Sequence, residues 1–215
     1  MSETMIERRA PWQIKRSDLI PLSDTFPVSQ VYVPGPRSWS EADLHAYTIA
    51  CYRRETTPPF IPQFPVGAWS ADTLGNLYQL QRYQLSDPVL LFPQGDPFAS
   101  EWGWFSGIYP WVVEKYVGWL QEGYELPPLY GCETRRGRIC ITSGDNEAAA
   151  LAHAGRKTAL IWVSLAYHRP DGVCVGLTHA LAVEEALRAG HRVPEAVLAD
   201  YPDLAKSFTG SHLSS

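Results

Sequence analysis

Nothing in this chain is long and apolar enough to cross a bilayer. Its first fifteen residues, Met1 to Lys15, are polar and carry Arg8, Arg9 and Lys15 where a signal peptide would carry an apolar segment. A cytoplasmic protein with no membrane insertion is expected. An excess of positive charge is also missing. A formal net charge of −5 over 215 residues argues against a protein that coats nucleic acid. The basic residues are local: Arg8-Arg9 with Lys15-Arg16, then Arg53-Arg54, then Arg135-Arg136 with Arg138. Such patches suit an enzyme that handles nucleic acid transiently better than a tight passive binder. The four cysteines (Cys51, Cys132, Cys140, Cys174) contain no CxxC pair, and the six histidines are scattered, so a structural zinc site is not expected. Reduced, mostly buried thiols are expected instead, although Cys132 and Cys140 could face each other across a hairpin. There is no internal repeat and no low-complexity segment. What is present is a hydrophobic content of 45% with 12% aromatics, enough for a sizeable core in one domain with embellishments.

The first part is rich in proline. Asp18 to Leu22 and Val31 to Pro34 read as short extended pieces, and Ser38 and Ser40 with Glu41 and Asp43 form overlapping capping boxes for a helix over 41–54. Pro58, Pro59, Pro62 and Pro65 then mark a rigid irregular connection, and 72–85 reads as a short helix interrupted by Gly75. From Asp87 the pattern is crisper. Val89 to Phe92 reads as a buried strand. Pro110 opens a helix to Gln121 with Val112, Val113, Tyr116, Val117 and Leu120 on its apolar face. Leu129 to Cys132 and Arg138 to Thr142 form two strands around a turn at Thr134 to Gly137. A helix ends at Gly155, a strand runs from Ala159 to Leu165, helices span 179–189 and 194–207, and 209–215 is a frayed tail. His179 and His191 read as surface residues, and Glu184-Glu185 as a solvated helix face.

The segment Ser143-Gly144-Asp145-Asn146-Glu147 joins a strand to an Ala-rich helix. A helix start offers unpaired N–H groups and the positive end of a dipole, which suits phosphate. The same residues suit plain capping: Ser143, Asp145 and Asn146 are all good cap residue types, and acids in a first turn stabilise the helix with no ligand. Both readings stand at this point.

The order of pieces around this junction resembles the ParB/sulfiredoxin fold. A helix leads through Leu126-Pro127-Pro128 into a hairpin around Arg135 and Gly137. A box at Gly144 to Glu147 starts an Ala-rich helix closed by Gly155, and the apolar strand Thr158 to Val163 follows. The resemblance covers about residues 86–166. It implies an α+β architecture: a small mixed sheet with flanking helices, an N-terminal extension (1–85), a C-terminal helical segment (167–208) and a tail (209–215). Family members end the box with an arginine that binds phosphate or activates a cysteine. Here Glu147 stands in that place and no box cysteine is present, which excludes sulfiredoxin chemistry. An anion would need a bridging Mg²⁺ or help from Arg135, Arg136 or Arg138. In length, N-terminal extension and altered box the chain resembles plasmid fertility-inhibition proteins of the Osa and FiwA type. That likeness implies ATP hydrolysis and cleavage of DNA, the single-stranded transfer intermediate, before its export.

Phosphodiester hydrolysis needs a positioned water and charge neutralisation, both of which Mg²⁺ supplies through oxygen ligands. The expected roles are Asp145 or Glu147 as metal ligand or general base and Asn146 as orienter of phosphate or water. Ser143 and Gly144 would form the phosphate or nucleotide cradle, with Arg135 and Arg136 as clamps. Asp96 and Glu101 are solvated loop acids on one reading and extra ligands on another. The aromatic run Trp102, Trp104, Phe105, Tyr109, Trp111, Tyr116 and Trp119 offers base stacking or, more commonly, core and interface packing. Trp104, Trp111 and Arg138 are the expected DNA or partner contacts, Trp111 because it falls on the polar side of its helix. The competing function is a non-catalytic inhibitor that docks on the conjugative secretion machinery or its coupling protein.

Overall fold

The computed structural model describes residues 10–25, 46, 49–53, 55–58, 61–101, 107–169 and 172–210. Among the described residues seven strands make one mixed sheet: β1 (Ile20–Pro21), β2 (Trp69–Ala71), β3 (Leu77–Gln84), β4 (Leu90–Leu91), β5 (Leu129–Glu133), β6 (Ile139–Ser143) and β7 (Thr158–Ser164). Their order is β1-β2-β3-β7-β5-β6-β4. β8 (Ala166–His168) and β9 (Cys174–Gly176) form a separate antiparallel ribbon. Besides a helical stretch at 49–53, the described residues include the helices α1 (Pro110–Gln121), α2 (Asp145–His153), α3 (His179–Arg188), α4 (Glu195–Leu198) and α5 (Pro202–Gly210). The class is α+β, a mixed sheet with flanking helices. Among the described residues no helix is long and apolar enough to cross a membrane.

Period-two alternation sorts the sheet's two faces. Ala159, Ile161 and Val163 of β7 join Leu129, Ile139 and Ile141 on one face, where Ala148 of α2 packs. Trp162, fully buried, points the other way onto Leu80, Tyr130 and Phe64. The next two alanines of α2, Ala149 and Ala150, meet Val112, Val113 and Tyr116 of α1. Thus α2 is sandwiched between sheet and α1, and only small side chains allow both approaches at once. α1 opens on Pro110, whose missing N–H costs nothing at a helix start, and closes where Tyr124 N donates to Trp119 O at 2.9 Å.

Three expectations are corrected. Residues 72–85 are not a helix but the turn and second strand of the β2–β3 hairpin. Asp72 Oδ1 accepts from the amides of Leu74 and Asn76, both at 2.9 Å, and this Asx turn reverses the chain. β3 then pairs with β7 over seven residues, from Tyr78↔Ser164 to Gln84↔Thr158, so the N-terminal extension supplies inner strands of the same sheet. The single helix expected over 194–207 is two, α4 and α5, because Pro202 cannot continue a helix and starts a new one. His179 is not a surface residue: it is 3% exposed. Its Nε2 lies 3.0 Å from both Pro11 O and Ile14 O, and its Nδ1 lies 2.7 Å from Tyr201 Oη. Burial lowers its pKa and keeps it neutral while it ties the 10–25 segment to the C-terminal helices. Glu184 and Glu185 both pair with Arg188 along α3. Of the helix expected over 41–54, residues 46 and 49–53 are helical; 41–45, 47–48 and 54, like Val31 to Pro34 and residues 211–215, lie outside the described residues.

Candidate functional site

β6 delivers the chain to Gly144, which caps α2 with φ 101° and ψ 22°. Ser143 is exposed beside it, and no side chain caps the helix. A Cβ on Gly144 would sit 2.7 Å from Leu129 Cδ2. Glycine is therefore demanded twice, by the left-handed backbone and by the close approach of β5. The close approach expected for a ligand is made instead by Leu129.

Asn146 faces inward and is spent on the fold. Its Oδ1 accepts from Tyr109 N at 2.7 Å, and its Nδ2 donates to Gly107 O at 3.1 Å and to Tyr52 Oη at 3.2 Å. One amide thus fixes the loop that starts α1 and anchors a tyrosine 94 positions earlier in the chain. Glu147 is 3% exposed and faces the same interior. Its charge and that of Glu55 push Tyr52 and Tyr116 upward, after burial, so both phenols stay protonated. Tyr116 Oη donates to Glu55 Oε2 at 2.7 Å. Lys115 Nζ bonds the same carboxylate at 3.2 Å and the carbonyls of Tyr52 and Glu55 at 3.0 and 2.9 Å, tying off the end of the 49–53 helical stretch. Sequence reading did not single out Tyr52, Glu55 or Lys115; the only local signal was the helix expected up to Arg54.

Asp145 is separated from Glu147 by the helical geometry, since residues two apart do not share a face. It is half-buried, and its Oδ1 makes no hydrogen bond. Burial lifts its carboxyl to about 6, partly offset by a hydrogen bond from its own backbone. The unfolded carboxyl titrates near 3.8, so the unfolded chain releases its proton first. Stability is therefore lost as pH rises from about 4 through about 6. Asp145→Asn is expected to raise Tm at about pH 7.5 and to leave it nearly unchanged at about pH 4, as differential scanning fluorimetry would show.

The expected phosphate clamps lie elsewhere. Arg135 and Arg136 are exposed in the β5–β6 turn, at the opposite end of β6 from Gly144, and a five-residue strand spans roughly 17 Å. Arg138 donates from Nη2 to Pro88 O at 2.9 Å on that same distant end. Asp96 Oδ1 accepts from Phe98 N at 2.9 Å, within its own loop. Trp104, with Trp102 and Phe105, lies outside the described residues. Trp111 is 37% exposed on α1, its ring 6.4 Å from Tyr52 and 6.1 Å from Tyr109. Behind the three rings stands the Asn146 network, so the aromatic surface and the buried polar cluster are two sides of one construction.

These residues do not fit the expected Mg²⁺ and ATP. Glu147 is buried among tyrosines, Asn146 has used its amide, the arginines stand off, and Leu129 fills the cradle. Among the described residues no group of three or more His, Cys, Asp and Glu is placed to hold a metal ion. Comparison with known protein families, curated proteins and solved structures gives no match.

Proposed function

We propose that this chain is a cytoplasmic, non-catalytic inhibitor of conjugative plasmid transfer. It docks on the transfer machinery, for instance the coupling protein, through the aromatic surface around Trp111. The setting comes from the chain's likeness to fertility-inhibition proteins in length, N-terminal extension and altered box. The observation that supports docking is Trp111 itself: a large aromatic, 37% exposed and braced by Tyr52 and Tyr109. Braced aromatics lose little conformational freedom on binding and dominate interface energetics. A net charge of −5 favours a protein partner over the DNA backbone.

A second reading, a metal-assisted DNase with ATPase activity, is favoured by Asp145 alone, whose carboxyl at about 6 is poised near neutrality. Purified wild type and Asp145→Asn separate the two. Single- and double-stranded DNA incubated with either protein, Mg²⁺ and ATP are expected to remain as intact as in EDTA. Magnesium-dependent cleavage by wild type that Asp145→Asn loses would replace docking with catalysis.

A further inference from the structure

The β5–β6 hairpin sets two of the four cysteines directly opposite each other. Thr134 N donates to Arg138 O at 2.7 Å and closes the hairpin, while Ile139 N turns outward to Val89 O at 2.8 Å. Cys132 and Cys140 are therefore the next hydrogen-bonded pair of the ladder, in register with one another. Cα atoms of such a pair stand about 5.5 Å apart, inside the span that a disulfide bridges. Both side chains leave the same face of the sheet, away from α2. Burial first, and the neighbouring Cys140 sulfur second, push the Cys132 thiol up, as expected of two sulfurs in contact.

The pair is also reachable. Both cysteines are free and half-buried, Thr142 on the same face is exposed, and Cys140 borders β4, an edge strand of two residues. A fully buried pair would resist oxidants, and a pair on flexible loops would need ordering. Here the ladder pre-positions the second sulfur.

We propose that Cys132 and Cys140 form a redox dithiol that closes reversibly to a cross-strand disulfide on meeting a small disulfide such as oxidised glutathione. One thiolate attacks a glutathione sulfur, forming a mixed disulfide and releasing one reduced glutathione. The second cysteine gives up its proton and attacks the protein sulfur, releasing the other. Two S–H bonds are lost from the protein and one S–S bond forms. Oxidised glutathione takes up the two electrons, and both protons end on the released thiols. A disulfide inside a hydrogen-bonded strand pair is constrained, which places it among the readily reduced, switching kind.

The test uses the full chain with Cys51→Ser and Cys174→Ser, so that only the pair remains. After oxidised glutathione, intact mass is expected to fall by two hydrogens with no glutathione retained. Both reactive thiols should be lost and then restored by dithiothreitol. Adding Cys132→Ser or Cys140→Ser should trap the remaining cysteine as a glutathione adduct. The unaltered chain gives an independent reading, because Arg135, Arg136 and Arg138 place the two cysteines on different tryptic peptides that only the disulfide joins. A stable glutathione adduct on the pair-bearing chain would overturn the proposal. So would two surviving thiols under conditions that modify exposed Cys51 in wild type.

Discussion

Asn146→Ala is expected to lower unfolding free energy by about 3 kcal/mol, because it removes three hydrogen bonds and leaves a half-buried amide and a half-buried carbonyl without their partner. Tyr109 N and Gly107 O both belong to the approach to α1, and losing their shared partner loosens the seat of that helix. Urea denaturation is the measurement, and a shifted midpoint with an unchanged slope is the expected form. The effect should appear with no ligand, metal or nucleotide present, since the partners of Asn146 are all in the chain. A loss under about 1 kcal/mol would mean that these groups find other partners and that Asn146 is not the latch described here.

Gly144→Ala is expected to cost a similar amount, about 3 kcal/mol, from two separable sources. A non-glycine residue at φ 101° incurs about 1–2 kcal/mol. The added carbon, 2.7 Å from Leu129 Cδ2, forces a fully buried side chain out of its packing for about 1–3 kcal/mol more. Leu129 belongs to the cluster that α2 and the sheet share, so the disturbance should reach β7 through Ile161. Thermal melts of the purified variant test this. An unchanged Tm would return Gly144 to the role of a glycine kept clear for a ligand.

The chain from Leu129 to Val163 was legible because each element carries its own signal: alternation in the strands, turn chemistry at Thr134 to Gly137, alanines in α2, and glycine at both ends of that helix. The sheet's other half was not. Leu77 to Gln84 mixes Leu, Tyr, Gln and Arg without a clear apolar period, since β3 lies between β2 and β7 and is only partly covered on each face. The direction of the site residues was hidden for another reason. An alanine helix has no large apolar stripe to show which side is inward, and α2 is covered from two sides. Asn146 and Glu147 therefore read as cap or site residues although both are buried. Tyr52, which Asn146 bonds, and Glu55, which bonds Tyr116 and Lys115 of α1, come from far up the chain, where no local pattern points at α2. Trp111 was legible, since helical periodicity alone puts it on the polar side of α1.

The most direct measurement is the frequency of conjugative transfer from donor cells that express wild type, Asp145→Asn or Trp111→Ala at matched soluble levels. Wild type and Asp145→Asn are expected to suppress transfer equally, and Trp111→Ala to lose at least tenfold of that suppression. Suppression that survives Trp111→Ala but fails in Asp145→Asn would contradict the account and return the strand–helix junction to the centre of the chemistry. Absence of suppression by wild type would remove transfer inhibition as the function.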